Sequence, residues 1–303
     1  MPRMDLRERI SKDLFLLDGA MGTQLIARGI QVGKCNDYLN VESPDVVSDI
    51  HRSYFEAGSD AVLTNTFGAN EYALGRHGFA EEVVKINKSG AQIARQAAGQ
   101  AKYVLGDIGP SGDFLEPLGS LKPEELKEAF ARQAKALLDG GVDGFIIETM
   151  TALDEVTIAI EAVKSVGGGV PVLASMSFDR VGDDFKTMMG VGIEAAVAKI
   201  VSLGVDAVGF NCGTASLDEY IELAEKFASA VKSLSKNVLI YAEPNAGKPE
   251  LVEGRAVYKV SPEDFATAVE KIHSAGVNII GGCCGTGPAH IAAIRKKLRT
   301  VNV

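Results

Sequence analysis

Short apolar runs recur along this chain with helix-like stretches between them, and that alternation limits the fold more than any other feature. The runs lie at Leu14–Asp18, Ala61–Asn65, Tyr103–Asp107, Gly144–Glu148, Val170–Ser177, Ala207–Asn211, Val238–Glu243 and Asn278–Gly282, and each reads as a buried strand. Between them sit segments such as Pro123-Glu124-Glu125-Leu126-Lys127-Glu128-Ala129-Phe130. Helix starts are marked by Ser43-Pro44, Ser216 and Ser261-Pro262, where a hydroxyl can cap the first turn and proline suits the first helical position. Gly58, Gly141, Gly204 and Gly276 each stand just ahead of the next apolar run, as suits a left-handed residue that closes a helix. Eight such βα units predict a single-domain α/β protein, a (β/α)₈ TIM-type barrel over residues 1–303. A doubly wound open sheet has the same alternation and is the alternative. No linker, low-complexity segment or internal repeat beyond the alternation interrupts the chain.

Composition narrows the function. The 303 residues are 46% apolar, ample for one large core, and the net charge of −9 comes with no Lys/Arg cluster. A nucleic-acid or anionic-membrane surface is therefore not expected. Four cysteines in a chain of this size fit free thiols in a reducing compartment rather than a disulfide framework. The first ten residues mix charged and apolar types, and no apolar stretch reaches the roughly 18 residues a membrane span needs. The expected location is cytoplasmic.

In a barrel of this type, chemistry collects at the carboxyl ends of the strands. Those ends carry Asp18, Asn65 with Thr66, Asp107, Glu148, Ser177, Asn211 with Cys212, Glu243 with Asn245, and Cys283 with Cys284. The cysteines are the most specific of these. Cys283-Cys284 is bracketed by Gly281-Gly282 and Gly285, and Cys212 sits in Asn211-Cys212-Gly213 at another strand end. Three thiolates can hold a zinc ion and leave one tetrahedral position open, which marks a catalytic rather than a structural site. Such an electron-rich centre suits attack by a bound thiolate on an alkyl group better than hydrolysis, where His and carboxylate ligands are usual. The alternative for any one cysteine is a small buried apolar residue. That is the reading for Cys35 in its polar stretch Gly33–Asp37, and His290 is set aside as a ligand.

Asp18-Gly19-Ala20-Met21-Gly22-Thr23, Leu63-Thr64-Asn65-Thr66-Phe67-Gly68-Ala69-Asn70, Gly106-Asp107-Ile108-Gly109-Pro110, Phe210-Asn211-Cys212-Gly213, Glu243-Pro244-Asn245-Ala246-Gly247 and Gly281-Gly282-Cys283-Cys284-Gly285-Thr286 form a set. Together they resemble the homocysteine S-methyltransferase family over about residues 12–298. The likeness is strongest to the N-terminal homocysteine-binding module of cobalamin-dependent methionine synthase. The resemblance implies a zinc-bearing (β/α)₈ barrel with Cys212, Cys283 and Cys284 as the thiolate ligands that activate the substrate thiol. It makes Asn245 a fourth ligand that homocysteine displaces. Glu148 and Asp18 would hold the substrate ammonium and the backbone of Ala20, Met21, Gly22 and Thr23 its carboxylate, with Thr66 and Asp107 beside them.

The implied reaction is methyl transfer to homocysteine, giving methionine. The methyl donor is expected to be a methylcorrinoid (methylcobalamin) carried by another protein or module. Cobalamin-dependent methionine synthases continue into folate- and cobalamin-binding modules, whereas this sequence runs only a few residues past Leu298, so an excised fragment or a separate corrinoid partner is expected. Relatives that use S-methylmethionine usually have Arg directly after the cysteine pair, where this chain has Gly285. A sulfonium-dependent enzyme, or a thiol-binding zinc subunit inactive without its corrinoid partner, are the alternatives. Aromatic residues just past strand ends are limited to Phe67, Phe114 and Phe178 in this reading, and there is no Trp, which favours a large docked donor over a small cation.

Overall fold

All eight anticipated strands form: five are trimmed, those starting at Tyr103 and Gly144 run longer by one and two residues, and Ala207–Asn211 keeps its bounds. In the computed structural model, which describes residues 3–300 apart from 32, 168, 235, 253 and 254, they are β1 (Phe15–Leu16), β2 (Ala61–Leu63), β3 (Tyr103–Ile108), β4 (Gly144–Met150), β5 (Val172–Met176), β6 (Ala207–Asn211), β7 (Leu239–Glu243) and β8 (Ile279–Ile280). Eight helices follow them in turn: α1 (Pro44–Ala57), α2 (Val83–Ala98), α3 (Pro123–Gly140), α4 (Leu153–Ser165), α5 (Ile193–Ser202), α6 (Leu217–Ser233), α7 (Pro262–Ser274) and α8 (Pro288–Thr300). The strands pair in parallel in the order β1-β8-β7-β6-β5-β4-β3-β2. Sequence neighbours are thus spatial neighbours and the last strand returns to the first, which decides for the (β/α)₈ barrel over an open sheet.

The local signals behind this fold behave as expected at most joints. Gly58, Gly141, Gly204 and Gly276 have φ of 110°, 98°, 72° and 109°. Ser216 forms a reciprocal capping box with Glu219, and Ser261 accepts from Asp264 N. Ser43 makes no side-chain cap, so Pro44 marks that helix start without it. Two short antiparallel hairpins were not anticipated, one pairing Asp179–Val181 with Asp184–Lys186 and the other Glu250–Val252 with Arg255–Val257. Three residues per strand on a solvated loop leave too little apolar alternation to read.

Strand residues on the inward face, among them Phe15, Leu17, Tyr103, Leu105, Ile146, Leu173 and Tyr241, pack into one cluster inside the barrel. Leu6 and Ile10 of the short helix Leu6–Ile10 join that cluster. The interior is thereby filled, and its amino-terminal end is plugged. The larger cavity, of about 420 Å³, lies at the carboxyl ends of the strands.

Closure depends on the seam between β1 and β2, which share no ladder. Side chains bridge it. Leu16 N donates to Asp60 Oδ2 at 2.9 Å while Asp60 N donates to Leu16 O at 2.6 Å. Leu63 N donates to Asp18 Oδ2 at 3.1 Å. Asp60 is itself held by Arg295 Nη2 at 2.7 Å. Among the described residues no helix is long and apolar enough to cross a membrane. Asp60→Ala leaves the Leu16 N–H without its acceptor and the Arg295 guanidinium with Gly58 O but no carboxylate, and is expected to lower stability by about 2–3 kcal/mol. Urea unfolding checks this, and Asp60→Asn, which keeps an acceptor oxygen, should lose less.

Candidate active site

The three thiols anticipated as a group do converge. Cys212 follows the last residue of β6 with a left-handed φ of 55°, its carbonyl fixed by the Tyr220 hydroxyl at 2.6 Å and its N–H donating to Glu243 O at 3.2 Å. Cys283 and Cys284 follow β8 on a backbone pressed tightly against its surroundings. A Cβ at Gly281 would meet Leu17 Cβ at 2.8 Å and one at Gly282 would meet Thr286 Oγ1 at 2.6 Å, so only glycine lets the chain approach this closely. The sulfurs of Cys212 and Cys284 are 4.0 Å apart, as are those of Cys283 and Cys284, and all three lie within 4.8 Å of one another.

That spacing fits a metal. Tetrahedral zinc with Zn–S bonds of about 2.3 Å sets its sulfurs about 3.8 Å apart. The electrostatics agree. Thiol hydrogen bonds from Cys212 and then Cys283 bring Cys284 down to about 3. Hydrogen bonding with Cys212, then with Cys284, and burial push the Cys283 thiol up. Thiolates this close oppose one another's ionisation, and a divalent ion is what lets several ionise together. Asn245 lies alongside, because Cys283 N donates to Pro244 O and Ala246 N to Cys284 O, both at 2.9 Å. Its Nδ2 donates to Gly213 O at 2.7 Å, whereas its buried Oδ1 has no hydrogen-bond partner. His290 instead packs between Gly287 N and Val260 O, each at 3.2 Å. Cys35 sits 4.0 Å from Asp37 Oδ2 and outside the cluster.

The thiols form one wall of a cavity of about 420 Å³ that opens at the mouth of the barrel. Asp18, Ala20, Met21, Gly22, Thr23, Thr66, Asp107 and Glu148, the residues anticipated around a substrate, all line it. Ala20–Thr23 enter as the start of the short helix Met21–Ala27, whose first N–H groups have no helical acceptor. The segment is tied to the cysteine loop by Ala20 N donating to Thr286 Oγ1 at 3.2 Å and Gly285 N to Thr23 Oγ1 at 3.0 Å. The Thr66 hydroxyl is engaged with Asp107 O at 2.8 Å and with Thr64. Ser177 and Asn245 do not line the cavity.

Acidic groups dominate the remaining walls. Burial raises Asp18 and, together with the charge of Cys284, lifts Glu148 to about 7. Burial and then repulsion from Glu148 raise both Asp107 and Glu243. One oxygen of Asp107 and one of Glu243 are buried without a partner. A cation entering this cavity would relieve several of these penalties together.

Several lining residues escaped the sequence reading. Asn36 and Asp37 come from the β1–α1 connection, and burial raises Asp37 to about 6. Thr149 lines the cavity too, beside Glu243, which was anticipated at its strand end. Tyr258 is a further surprise, because it lies in the β7–α7 connection well beyond its strand. Its ring covers Gly285, where a Cβ would meet Tyr258 Cγ at 2.2 Å, and its side chain helps hold the Cys284 thiol down. Gly285 has a φ of 82°, so any side chain there meets both backbone strain and the ring. Phe178, one of the aromatics anticipated at the mouth, is buried instead.

Fold and site together define a (β/α)₈ barrel whose mouth joins a metal-competent trio of thiols to an acid-lined pocket. The chain belongs to the homocysteine S-methyltransferase family, whose sequence profile matches residues 15–298. It is 35% identical to the methionine synthase of Mycobacterium tuberculosis over 309 aligned positions, covering 96% of this chain and 25% of that protein. The methionine synthase of Mycobacterium leprae is 34% identical, with 98% and 25% covered. The chain thus spans about a quarter of the length of these relatives. Its fold matches that of the metallated form of the homocysteine methyltransferase MmuM from Escherichia coli, with a TM-score of 0.77, 24% identity and coverage of 96% and 99%.

Gly285→Ala is expected to displace Tyr258 from Cys284 and to lower stability by about 2 kcal/mol through the left-handed backbone and the collision. A double-mutant cycle with Tyr258→Ala checks it, since removing the ring should recover the steric part of the loss.

Proposed function

We propose that this chain transfers a methyl group to the sulfur of L-homocysteine, giving methionine, with zinc held by Cys212, Cys283 and Cys284. The observation that carries this reading is the trio of sulfurs at tetrahedral spacing in the wall of an acid-lined pocket, beside an amide oxygen without a partner. When bound, zinc would ionise the substrate thiol and keep it a nucleophile at neutral pH.

The chain's own residues supply the rest. Asn245 Oδ1 is free to fill the fourth position and to yield it to the incoming sulfur. Glu148 and Asp18, both buried, hold the substrate ammonium, whose charge offsets their desolvation. Asp107 extends the acidic wall behind them. The opening turn at Ala20–Thr23 presents N–H groups to the carboxylate, with Thr66 holding the β2 and β3 ends in place. With the amino acid fixed at both ends and water displaced, the sulfur lone pair is left facing the mouth. The methyl group arrives there, and its bond to the donor breaks with the electron pair left on the leaving group.

The preferred donor is a methylcorrinoid carried by another protein or module. Ile26, Phe67, Val84, Phe114, Leu118, Val181, Met188, Met189, Leu251 and Val252 are the exposed large apolar side chains among the described residues. Each lies in a strand-to-helix connection or in the first turn of the following helix, so they ring the mouth. An apolar rim of this kind supports a macromolecular donor. A small sulfonium such as S-methylmethionine is the second reading, favoured by one observation: the Tyr258 ring beside Cys284 is where a cationic donor would find an aromatic face.

Replacing any one of Cys212, Cys283 or Cys284 by Ser should cut zinc retention well below one ion per chain and abolish methyl transfer. Metal analysis after dialysis, set beside an activity assay, checks both halves. Full activity of a variant in chelated buffer would remove that cysteine from the metal site.

The reaction is tested by mixing the zinc-loaded chain anaerobically with free methylcobalamin, with and without L-homocysteine. Homocysteine-dependent loss of the methyl–cobalt absorbance, with methionine formed, is the expected outcome. Turnover with S-methylmethionine alone would favour the sulfonium reading. Zinc and homocysteine binding without turnover on either donor would assign the chain to thiol binding on behalf of a corrinoid partner.

A further inference from the structure

Asn211 ends β6 and is only 1% exposed. It does not line the cavity, yet its side chain joins three of the strands that build the mouth. Its Oδ1 accepts from Thr149 N at 2.8 Å and from the Ser175 hydroxyl at 2.7 Å. Its Nδ2 donates to Thr149 Oγ1 at 2.7 Å and to the Glu148 carboxylate, and lies 4.0 Å from the Cys283 sulfur. Both lone-pair directions and both protons of the amide are therefore engaged. The next residue in the chain is Cys212.

The grip on Thr149 has a consequence for Glu148. Thr149 has a φ of 61°, a left-handed conformation that is unfavourable for a β-branched residue and persists only where neighbours enforce it. Asn211 enforces it from two sides, through the Thr149 N–H and hydroxyl. That backbone turn and the direct Nδ2 contact together aim the Glu148 carboxylate into the cavity. Through its own peptide bond the same residue carries Cys212. One rigid amide thus ties the carboxylate end of the pocket to the thiol end.

We infer that Asn211 is a positioning residue that sets the distance between Glu148 and the three cysteines, and so the length of amino-acid thiol the pocket accepts. This rests on the reading that the ammonium of the substrate meets Glu148 and its sulfur meets the cysteine cluster. An α-amino thiol held at both ends is measured by the pocket, and homocysteine exceeds cysteine by one methylene. A pocket of fixed length can separate ligands differing by a methylene about 10- to 200-fold. A pocket whose ends move independently cannot.

The test binds thiols without any methyl donor. The purified chain is loaded with Co²⁺ in place of zinc, and the thiolate-to-cobalt absorbance is titrated with L-homocysteine, L-cysteine and the amine-free 1-propanethiol. The intact chain should prefer homocysteine to cysteine by about tenfold or more. Asn211→Ala should keep its cobalt stoichiometry and its affinity for propanethiol, while homocysteine binding weakens about tenfold or more and the preference over cysteine collapses. An unchanged preference in Asn211→Ala would overturn the inference. So would an equal loss for all three thiols, which would make Asn211 a support of the metal site alone. Ser175→Ala removes one hydrogen bond to the same amide, and should reduce the preference in the same direction by a smaller factor. It decides the matter if Asn211→Ala does not fold. If the intact chain takes up cobalt and propanethiol but no amino-acid thiol, it is the homocysteine reading that fails.

Discussion

Asp18, Asp107, Glu148 and Glu243 share one buried cavity with the thiols of Cys212, Cys283 and Cys284. That crowding of acidic groups away from water is the constraint on which the rest of the arrangement depends. They cannot all ionise without countercharge, because burial and mutual repulsion oppose each additional anion. Positive charge at two places, a metal ion among the sulfurs and an ammonium among the carboxylates, would relieve that repulsion. In the proposed reading, zinc supplies the first charge and the ammonium of the amino acid the second, while the substrate sulfur binds at the metal.

Holding such a cavity open requires a stiff frame, and the barrel supplies it. Its interior is packed and its amino-terminal end is plugged by Leu6 and Ile10, so the strand ends cannot collapse inward. The one unladdered seam is closed by carboxylates, and Asp18 stands in both roles: its Oδ2 accepts from Leu63 N across the seam while the side chain lines the cavity. In the proposed reading, stability and binding therefore meet in one residue. Backbone strain is concentrated in the same region. Among the described residues, Thr149 and Cys212 are the non-glycine positions with positive φ. They flank the amide of Asn211, one through hydrogen bonds and the other through the chain.

The mouth differs from the rest of the surface. Its connections carry the exposed apolar side chains, and the two short hairpins at 179–186 and 250–257 belong to it. Relatives four times as long share this barrel as about a quarter of their length. In the proposed reading, an acidic pocket with an apolar rim suits receiving a group from a large body docked over it. Tyr258 is set against Gly285 at the edge of the thiol cluster.

What the sequence alone determined is what local chemistry encodes. Eight apolar runs, the glycines that end helices and the serine caps are each read within a few residues, and they specify the βα units and hence the barrel. Cys212 and Cys283-Cys284 were legible because the barrel rule sends strand ends to one mouth, and Asp18, Thr66, Asp107 and Glu148 came with them for the same reason. Tertiary structure alone decided the rest. Asn36 and Asp37 reach the cavity, and Tyr258 the cysteine loop, from long connections, whose paths depend on packing rather than on any periodic pattern. The hairpins are too short and too exposed to leave a signal. The role of Asn211 arises from contacts with β4, β5 and β8, and which side chains face one another across strands is set by sheet register and twist, quantities no single strand carries in its own sequence.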